Sequence, residues 1–171
     1  MQDEKPDRGL DWLDVYKEVE KIYKENPDKI KAIGVSNWCV SYLERLLKHA
    51  TVIPAINQIE LHPSCTQTDL VKFSQSKGIA ITAYSPLGST GTPLALNEVV
   101  KNVAEKKGVS PYAVLLSLWA NMDQISVLSK SVTPERIRCE CQYLYFQFKG
   151  RFDRLMNRTV PRSKLETDRP F

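Results

Sequence analysis

The sequence predicts an α/β fold in which parallel strands are covered by helices, and three observations lead to this fold class. Short, apolar, β-rich segments alternate four times with segments of helical spacing. The strand-like segments are too apolar to face water, as is typical of parallel strands buried on both faces. No Gly-x-Gly-x-x-Gly motif follows any of these segments, which counts against a Rossmann-type sheet. An open doubly wound sheet and a closed barrel both fit the alternation.

The predicted elements can be followed in order along the chain. Residues 10–24 have the apolar spacing of a helix, and the turn residues 26–28 end it. A capping-box pattern, Ser41-Tyr-Leu-Glu44, predicts the start of a second helix. Later helix boundaries are marked by glycine at 78 and by Ser-Pro at 110–111. The strands are predicted over 30–35, 53–61, 79–84 and 125–128, and the remaining helices over 68–77, 96–107, 111–122 and 134–141.

Composition and charge favour a globular protein that does not bind nucleic acid. The 171 residues are 42% hydrophobic and 26% charged, which is typical of one folded domain. Seven of the 24 basic side chains and three of the 20 acidic ones lie after residue 142, so this tail carries the whole net charge of +4. The neutral body gives no electrostatic reason to expect a nucleic-acid partner.

The location expected from the sequence is the cytoplasm. No apolar segment of the signal-peptide type follows Met1, and no run of 18 apolar residues predicts a membrane span. The four cysteines are therefore interpreted as reduced thiols. Cys139-x-Cys141 has neither a nearby histidine nor a second cysteine pair, so no metal site is predicted.

Polar residues cluster where four predicted strands end, at Ser36-Asn37, Asn57-Gln58, Tyr84-Ser85 and Lys130-Ser131. If the strands lie side by side, these groups converge on one rim. Ser, Asn and Gln supply neutral donors and acceptors that suit a carboxamide, and a tyrosine ring offers a flat face for stacking. The alternative for Ser36-Asn37 is that they are helix-capping or turn residues.

The segment from Lys130 to Arg136 has the pattern of an anion site. Thr133 is a suitable N-cap and Pro134 a suitable first residue, so a helix is predicted to begin here. A helix dipole disfavours a cation in the first turn, yet Arg136 lies there. A lysine, an arginine and free N–H groups together fit a phosphate monoester. The alternative is a solvated basic residue on an exposed helix.

Four segments of the sequence resemble the aldo-keto reductases, and the fungal members most closely. The resemblance runs from about Trp12 to Ile137, in the family's order and spacing. It implies a (β/α)₈ TIM barrel, of which this chain has about four βα units followed by an unmatched tail. The four segments are Lys31–Trp38, Ile53–Pro63, Gly78–Ser89 and Lys130–Ile137.

The resemblance implies an NADP(H) site and a role for each matched residue. In the family's pattern, Ser36, Asn37 and Gln58 would hold the nicotinamide carboxamide, and Tyr84 would stack on its ring. The residues that would line the pyrophosphate are Ser85, Leu87 and Ser89. Those that would hold the adenosine 2′-phosphate are Lys130, Ser131, Thr133 and Arg136.

The reaction implied by the resemblance is hydride transfer between NADPH and the carbonyl of a small aldehyde or ketone, or the reverse with an alcohol. The family's catalytic tetrad of Asp, Tyr, Lys and His comes from the first four barrel strands, and the resemblance begins after them. We therefore expect this chain to keep the cofactor site without catalytic residues. The alternatives are a non-catalytic nucleotide-binding or interaction half-barrel, and a truncated gene product without function.

The predicted organisation is a half-barrel over residues 1–141 and a basic tail over 142–171. Four strands cannot close a barrel, and they leave two unpaired edges and an uncovered apolar face. Two ways to cover these edges are therefore left open: self-association through them, or joining a separately made N-terminal half. The sequence does not identify the carbonyl substrate, because the loops that select it do not match.

Overall fold

The computed structural model describes residue 9, residues 11–88 and residues 94–138. The chain divides into two compact units, Met1–Tyr84 and Ser85–Phe171. Ser89, the predicted boundary at 141 and the tail 142–171 lie outside the described residues. No helix in the described part of the chain is both long and apolar enough to cross a membrane.

The first unit is a parallel sheet with helices between its strands. Its strands β1, β2 and β3 lie side by side in chain order. Since parallel neighbours need a crossover, each pair is joined through a helix, as the alternation in the sequence predicted. The bounds are α1 Trp12–Glu25, β1 Val35–Ser36, α2 Val40–His49, β2 Ile56–Glu60, α3 Thr68–Ser76 and β3 Ala80–Tyr84.

The register of the three strands fixes which side chains share a face. Ser36 pairs with Gln58, and Gln58 pairs with Thr82. Because side chains alternate along a strand, Tyr84 lies on the same face as Thr82, next to its register partner Glu60. The opposite face carries the buried residues Asn57, Ile59, Ile81 and Ala83.

Helix α1 begins at a well-defined cap and buries one stripe of side chains. The Asp11 side chain accepts a hydrogen bond from the Leu13 backbone N–H at 3.0 Å. The Arg45 guanidinium of α2 binds the same carboxylate and, as the main cause, holds the pKa of Asp11 below its ordinary value. Leu13 and Tyr16 pack with Leu46 of α2 in one apolar cluster.

Two side chains of α1 hold the loop before β2. The buried Glu20 carboxylate accepts hydrogen bonds from the backbone N–H groups of Thr51 and Val52 at 2.7 and 2.6 Å. The Tyr16 hydroxyl donates to the Val52 carbonyl at 2.9 Å. These bonds satisfy three backbone groups of the loop, so α1 fixes where the chain enters β2.

Tyr16 makes the stability of this unit depend on pH in alkaline solution. Burial, and then the nearby Glu20 charge, raises the pKa of Tyr16 from 10 to about 12. The unfolded chain therefore loses this proton first, so the stabilisation is complete below pH 10 and is lost as the pH rises to 12. We expect the urea-unfolding free energy of wild type to fall by about 2–3 kcal/mol more than that of Tyr16→Phe across this window. Tyr23→Phe is the matched control, and an equal fall in Tyr16→Phe and wild type would contradict the expectation.

The predicted capping box at Ser41 and Glu44 is wrong. Helix α2 begins at Val40, and the extended Cys39 is its N-cap, without a side-chain capping bond. The Ser41 hydroxyl lies 3.1 Å from the Cys39 sulfur instead of capping a backbone N–H. The helix therefore begins one residue before Ser41, the predicted cap.

Strand β1 is much shorter than the predicted 30–35. The Ile33 carbonyl accepts from the Ala55 N–H at 2.8 Å, but the regular ladder covers only Val35–Ser36. A Cβ at Gly34 would lie 2.9 Å from the Ile56 carbonyl oxygen, so only glycine permits this close approach of β1 to β2.

The second unit consists mainly of helices with strong local start and stop signals. Ser110 caps α5 by accepting from the Ala113 N–H at 3.1 Å, and Pro111 is the first helical residue, as predicted. Asn97 caps α4, and Gly108 ends it with φ of +63°. Helix α5 packs against α4 and β4. The bounds are α4 Glu98–Lys107, α5 Pro111–Ala120, β4 Ile125–Val127 and α6 134–138, with a 3₁₀ turn at Leu94–Leu96 before α4.

Candidate cofactor-binding residues

The first unit presents a row of polar side chains on one face of its sheet. Ser36, Gln58 and Thr82 are cross-strand neighbours on β1, β2 and β3. Tyr84 follows one layer further toward the carboxyl ends of the strands. The structure thus brings the predicted Ser36, Gln58 and Tyr84 to the same face, and it adds Thr82, which sequence reasoning missed.

Gln58 is not at a strand end, contrary to the sequence-based prediction. Strand β2 continues to Glu60, so Gln58 lies at its centre. The position of Ser36 explains the difference: β1 ends level with the middle of β2, and the rim of the sheet is therefore stepped. Because β1 ends at the level of Gln58, the Gln58 side chain is only half-buried.

Two carboxamide groups are available at this step. The exposed Asn37 and the half-buried Gln58 make no side-chain hydrogen bond to any described residue, although their backbones are bonded to each other. A carboxamide offers donors and an acceptor together. The pair can therefore bind a ligand that itself carries both, such as another carboxamide.

Backbone geometry fixes the segments that carry the predicted residues. Asn37 and Ser85 both have φ in the left-handed region, at 60° and 49°, which is uncommon for residues other than glycine. After Ser85, the chain turns so that its carbonyl accepts from the Gly88 N–H at 3.0 Å. Leu87 is half-buried within this turn.

A contact between a glutamate and a histidine at the end of β2 was also missed in the sequence. Glu60 lies on the polar face beside Tyr84, and its carboxylate contacts the His62 Nε2 at 3.1 Å. His62 is buried, and its Nδ1 has no partner among the described residues. The period-two alternation from Gln58 would have placed Glu60 on this face.

The second unit carries the residues predicted to bind phosphate. Lys130 and Arg136 are exposed, and within the described chain neither has an acidic partner within 4 Å. The Arg136 guanidinium lies over the Tyr112 ring, 5.2 Å from its centre. The half-buried Ser131 and Thr133 are joined by a hydrogen bond from the Thr133 N–H to the Ser131 hydroxyl at 3.2 Å. Helix α6 follows, beginning at residue 134 as predicted.

The cysteines of the first unit are free thiols. Cys39 is exposed and Cys65 is half-buried. Partial burial raises the pKa of the Cys39 thiol, but hydrogen bonds from the Ser41 hydroxyl and nearby backbone N–H groups outweigh burial and lower it overall. Among the described residues, no three His, Cys, Asp or Glu side chains are grouped to hold a metal ion.

Comparisons with known proteins found a matching family profile and relatives that are more than 40% identical to this chain over the aligned residues. The profile of the Aldo/keto reductase family matches residues 3–152. The D-galacturonate reductase of Hypocrea jecorina is 53% identical over 130 residues, which are 76% of this chain and 41% of that protein. The glycerol 2-dehydrogenase (NADP(+)) of Saccharomyces cerevisiae is 45% identical over 112 residues, 64% of this chain and 36% of that protein. The chain thus spans about two fifths of the length of these curated relatives.

A solved structure shows the same fold. The aldose reductase of Giardia lamblia superposes with a TM-score of 0.70 at 35% identity, over 78% of this chain and 45% of that one. The predicted fold class, a partial (β/α)₈ barrel, is confirmed by this similarity.

Proposed function

Because this chain belongs to the aldo/keto reductase family, we propose that it binds NADP(H) and serves hydride transfer to a small carbonyl compound. The observation that carries the proposal is the Gln58 carboxamide on the polar face that also carries Tyr84, with the Asn37 carboxamide directly after β1. Neither side chain has a hydrogen-bond partner among the described residues. When bound, NADP(H) supplies or accepts the hydride, and the protein supplies its orientation.

In the first unit, the proposed roles follow from the chemistry of each side chain. Ser36, Asn37 and Gln58 hold the nicotinamide carboxamide by exchanging donors for acceptors. The Tyr84 ring stacks on the nicotinamide and excludes water from that side. The Ser36 hydroxyl is already engaged with the Gln58 carbonyl at 3.0 Å, so its remaining lone pairs are what it offers a ligand.

In the second unit, the proposed ligand is the phosphate end of NADP(H). Ser85 and Leu87, together with Ser89 outside the described residues, line the pyrophosphate. Lys130 and Arg136 supply two cations that have no carboxylate partner among the described residues, which suits the dianionic 2′-phosphate. Ser131 and Thr133 supply hydroxyl groups beside them.

The compartment and the assembly complete the proposal. The family acts on small-molecule carbonyl or alcohol substrates, and we assign a substrate of this class to the protein that contains this chain. The exposed thiol of Cys39 suits a reducing compartment, so we assign the protein to the cytoplasm. Self-association of the chain through exposed sheet edges, such as that of β1, stays a prediction. A measurement of the molecular mass in solution would test it.

The test of the proposed function is fluorescence titration of the 171-residue chain with NADPH. We expect saturable binding in wild type and about tenfold weaker binding in Gln58→Met, because the substitution removes one amide interaction at nearly constant volume. Ile56→Met is the matched control, since Ile56 lies on the same face of the same strand, away from the rim. Wild type that shows no saturation, or a Gln58→Met curve equal to that of Ile56→Met, would refute the assignment.

A further inference from the structure

The last residue of β1 and the two residues after it make four hydrogen bonds to β2. The Ser36 hydroxyl and the Asn37 N–H both donate to the Gln58 carbonyl, at 3.0 and 2.8 Å. The Trp38 N–H donates to the Asn57 Oδ1 at 3.4 Å, and the Asn57 Nδ2 donates to the Trp38 carbonyl at 2.8 Å. One side-chain amide therefore pairs with both backbone groups of Trp38.

The Asn57 side chain is placed where it can serve only this segment. It is completely buried, on the sheet face opposite Gln58, and its register partners in the neighbouring strands are Val35 and Ile81. A buried amide without partners is destabilising, so the two bonds to Trp38 determine its orientation. Apolar strand residues cannot replace either bond.

Asn37, which lies between the bonds made by Gln58 and those made by Asn57, has an unfavourable backbone conformation. Asn37 has φ of 60°, and such residues persist where the surrounding structure over-determines them. Gln58 fixes it from one side through the Asn37 N–H, and Asn57 fixes it from the other side through Trp38. Without the Asn57 bonds, Asn37 is fixed on one side only.

We propose that Asn57 is a positioning residue for the nicotinamide half of the cofactor, acting through Trp38 on Asn37. The inference rests on the proposed binding of NADP(H), because it assigns Asn37 to the carboxamide. Asn57 touches no ligand. Its two hydrogen bonds keep the Asn37 side chain in the orientation that binds, and the apparent affinity falls in proportion to the fraction of molecules that keep this orientation.

Asn57→Ala tests the proposal by titration with two ligands. We expect about tenfold weaker binding of NADPH, as when only a tenth of the molecules keep the binding orientation. Binding of 2′,5′-ADP, which lacks the nicotinamide, should be unchanged. Asn26→Ala is the matched control: its amide also donates to a backbone carbonyl at 2.8 Å, that of Ile22, but at the end of α1. Equal NADPH affinity in Asn57→Ala and Asn26→Ala would overturn the proposal.

Hydrogen exchange separates positioning from general structural loss and needs no cofactor. We expect Asn57→Ala to speed exchange of the Asn37 and Trp38 amides by at least tenfold, while amides of β2 and β3 stay protected. Loss of protection spread over all three strands would show a merely structural role and overturn the proposal. Asn57→Ser is measured in the same way in case the alanine variant does not fold, and failure of both to fold also overturns it.

The two arms distinguish this inference from the proposed function. If wild type binds no NADPH, the proposed function fails, and the assignment of Asn57 to the nicotinamide fails with it, whatever the exchange rates. If wild type binds NADPH and Asn57→Ala binds it equally well, only the inference fails.

Discussion

The purified 171-residue chain on its own is expected to oxidise NADPH with a reactive aldehyde at less than about 10⁻² s⁻¹. Ordinary enzymes turn over at about 1 s⁻¹ or faster, and general acid catalysis contributes about 10² to 10⁴-fold of that rate. Hydride delivery to a carbonyl carbon leaves negative charge on the oxygen, and fast turnover needs a positioned acid that protonates this oxygen. The expected rate follows because none of the roles proposed above assigns such an acid to a described residue.

Three of the described tyrosines are engaged in other ways, and a fourth, Tyr84, is assigned to another role. The Tyr16 hydroxyl donates to the Val52 carbonyl, and its pKa of about 12 makes it a weak acid. Tyr42 stacks on Trp12 with ring centres 5.0 Å apart, and Tyr112 lies beneath Arg136. Tyr84 is assigned to stacking, which places its hydroxyl at the proposed nicotinamide site.

The measurement is NADPH absorbance with the chain purified free of host reductases, and a heat-denatured sample gives the background. Turnover near 1 s⁻¹ would contradict the expectation and would point to an acid among these residues. Tyr84→Phe then identifies it, because the variant keeps the stacking ring and loses only the hydroxyl. A rate unchanged in Tyr84→Phe would move the search to the residues outside the described part of the chain.

The second large effect concerns the choice between NADPH and NADH. Wild type is expected to bind NADPH about tenfold to a hundredfold more tightly, and Arg136→Ala should remove most of this preference. The preference corresponds to a charge-assisted interaction of about 1.5–3 kcal/mol with the 2′-phosphate. NADH lacks that phosphate, so its affinity should be the same in both proteins.

Arg138→Ala is the matched control, since Arg138 is exposed in the same helix α6. Both substitutions lower the net charge equally, so a general electrostatic effect would appear in both. In wild type, added salt should weaken the binding of NADPH more than the binding of NADH, because ions screen an exposed cation–phosphate pair. Equal NADPH and NADH affinities in wild type, or Arg136→Ala and Arg138→Ala with the same preference, would disprove the role of Arg136.

Local signals in the sequence determined most helix boundaries of this protein. Ser110 and Pro111 begin α5, Gly78 follows the end of α3, and helix α6 starts at residue 134 as its Thr-Pro pair predicts. Each of these signals acts on backbone groups within four residues. The same segment order, with apolar strands between helices, also determined the fold class.

Only the tertiary structure decided where the strands begin and end and which helix caps form. Strand β1 has two residues instead of six, because a strand is defined by hydrogen bonds to residues about twenty positions away in the chain. Helix α2 begins at Val40 instead of at a capping box, and its N-cap Cys39 makes no side-chain capping bond.

The candidate site shows the same division between sequence and tertiary structure. The sequence selected Ser36, Asn37, Gln58 and Tyr84 by residue type and by their place after apolar strands. It did not find Thr82, Glu60 or the role of Asn57, because these depend on register and on which face of β2 a residue occupies. Adjacent residues Asn57 and Gln58 point to opposite faces, so one is buried against Trp38 and the other is free to bind. Residue type alone cannot distinguish two neighbouring amides, whereas the hydrogen-bonded register of β1, β2 and β3 does.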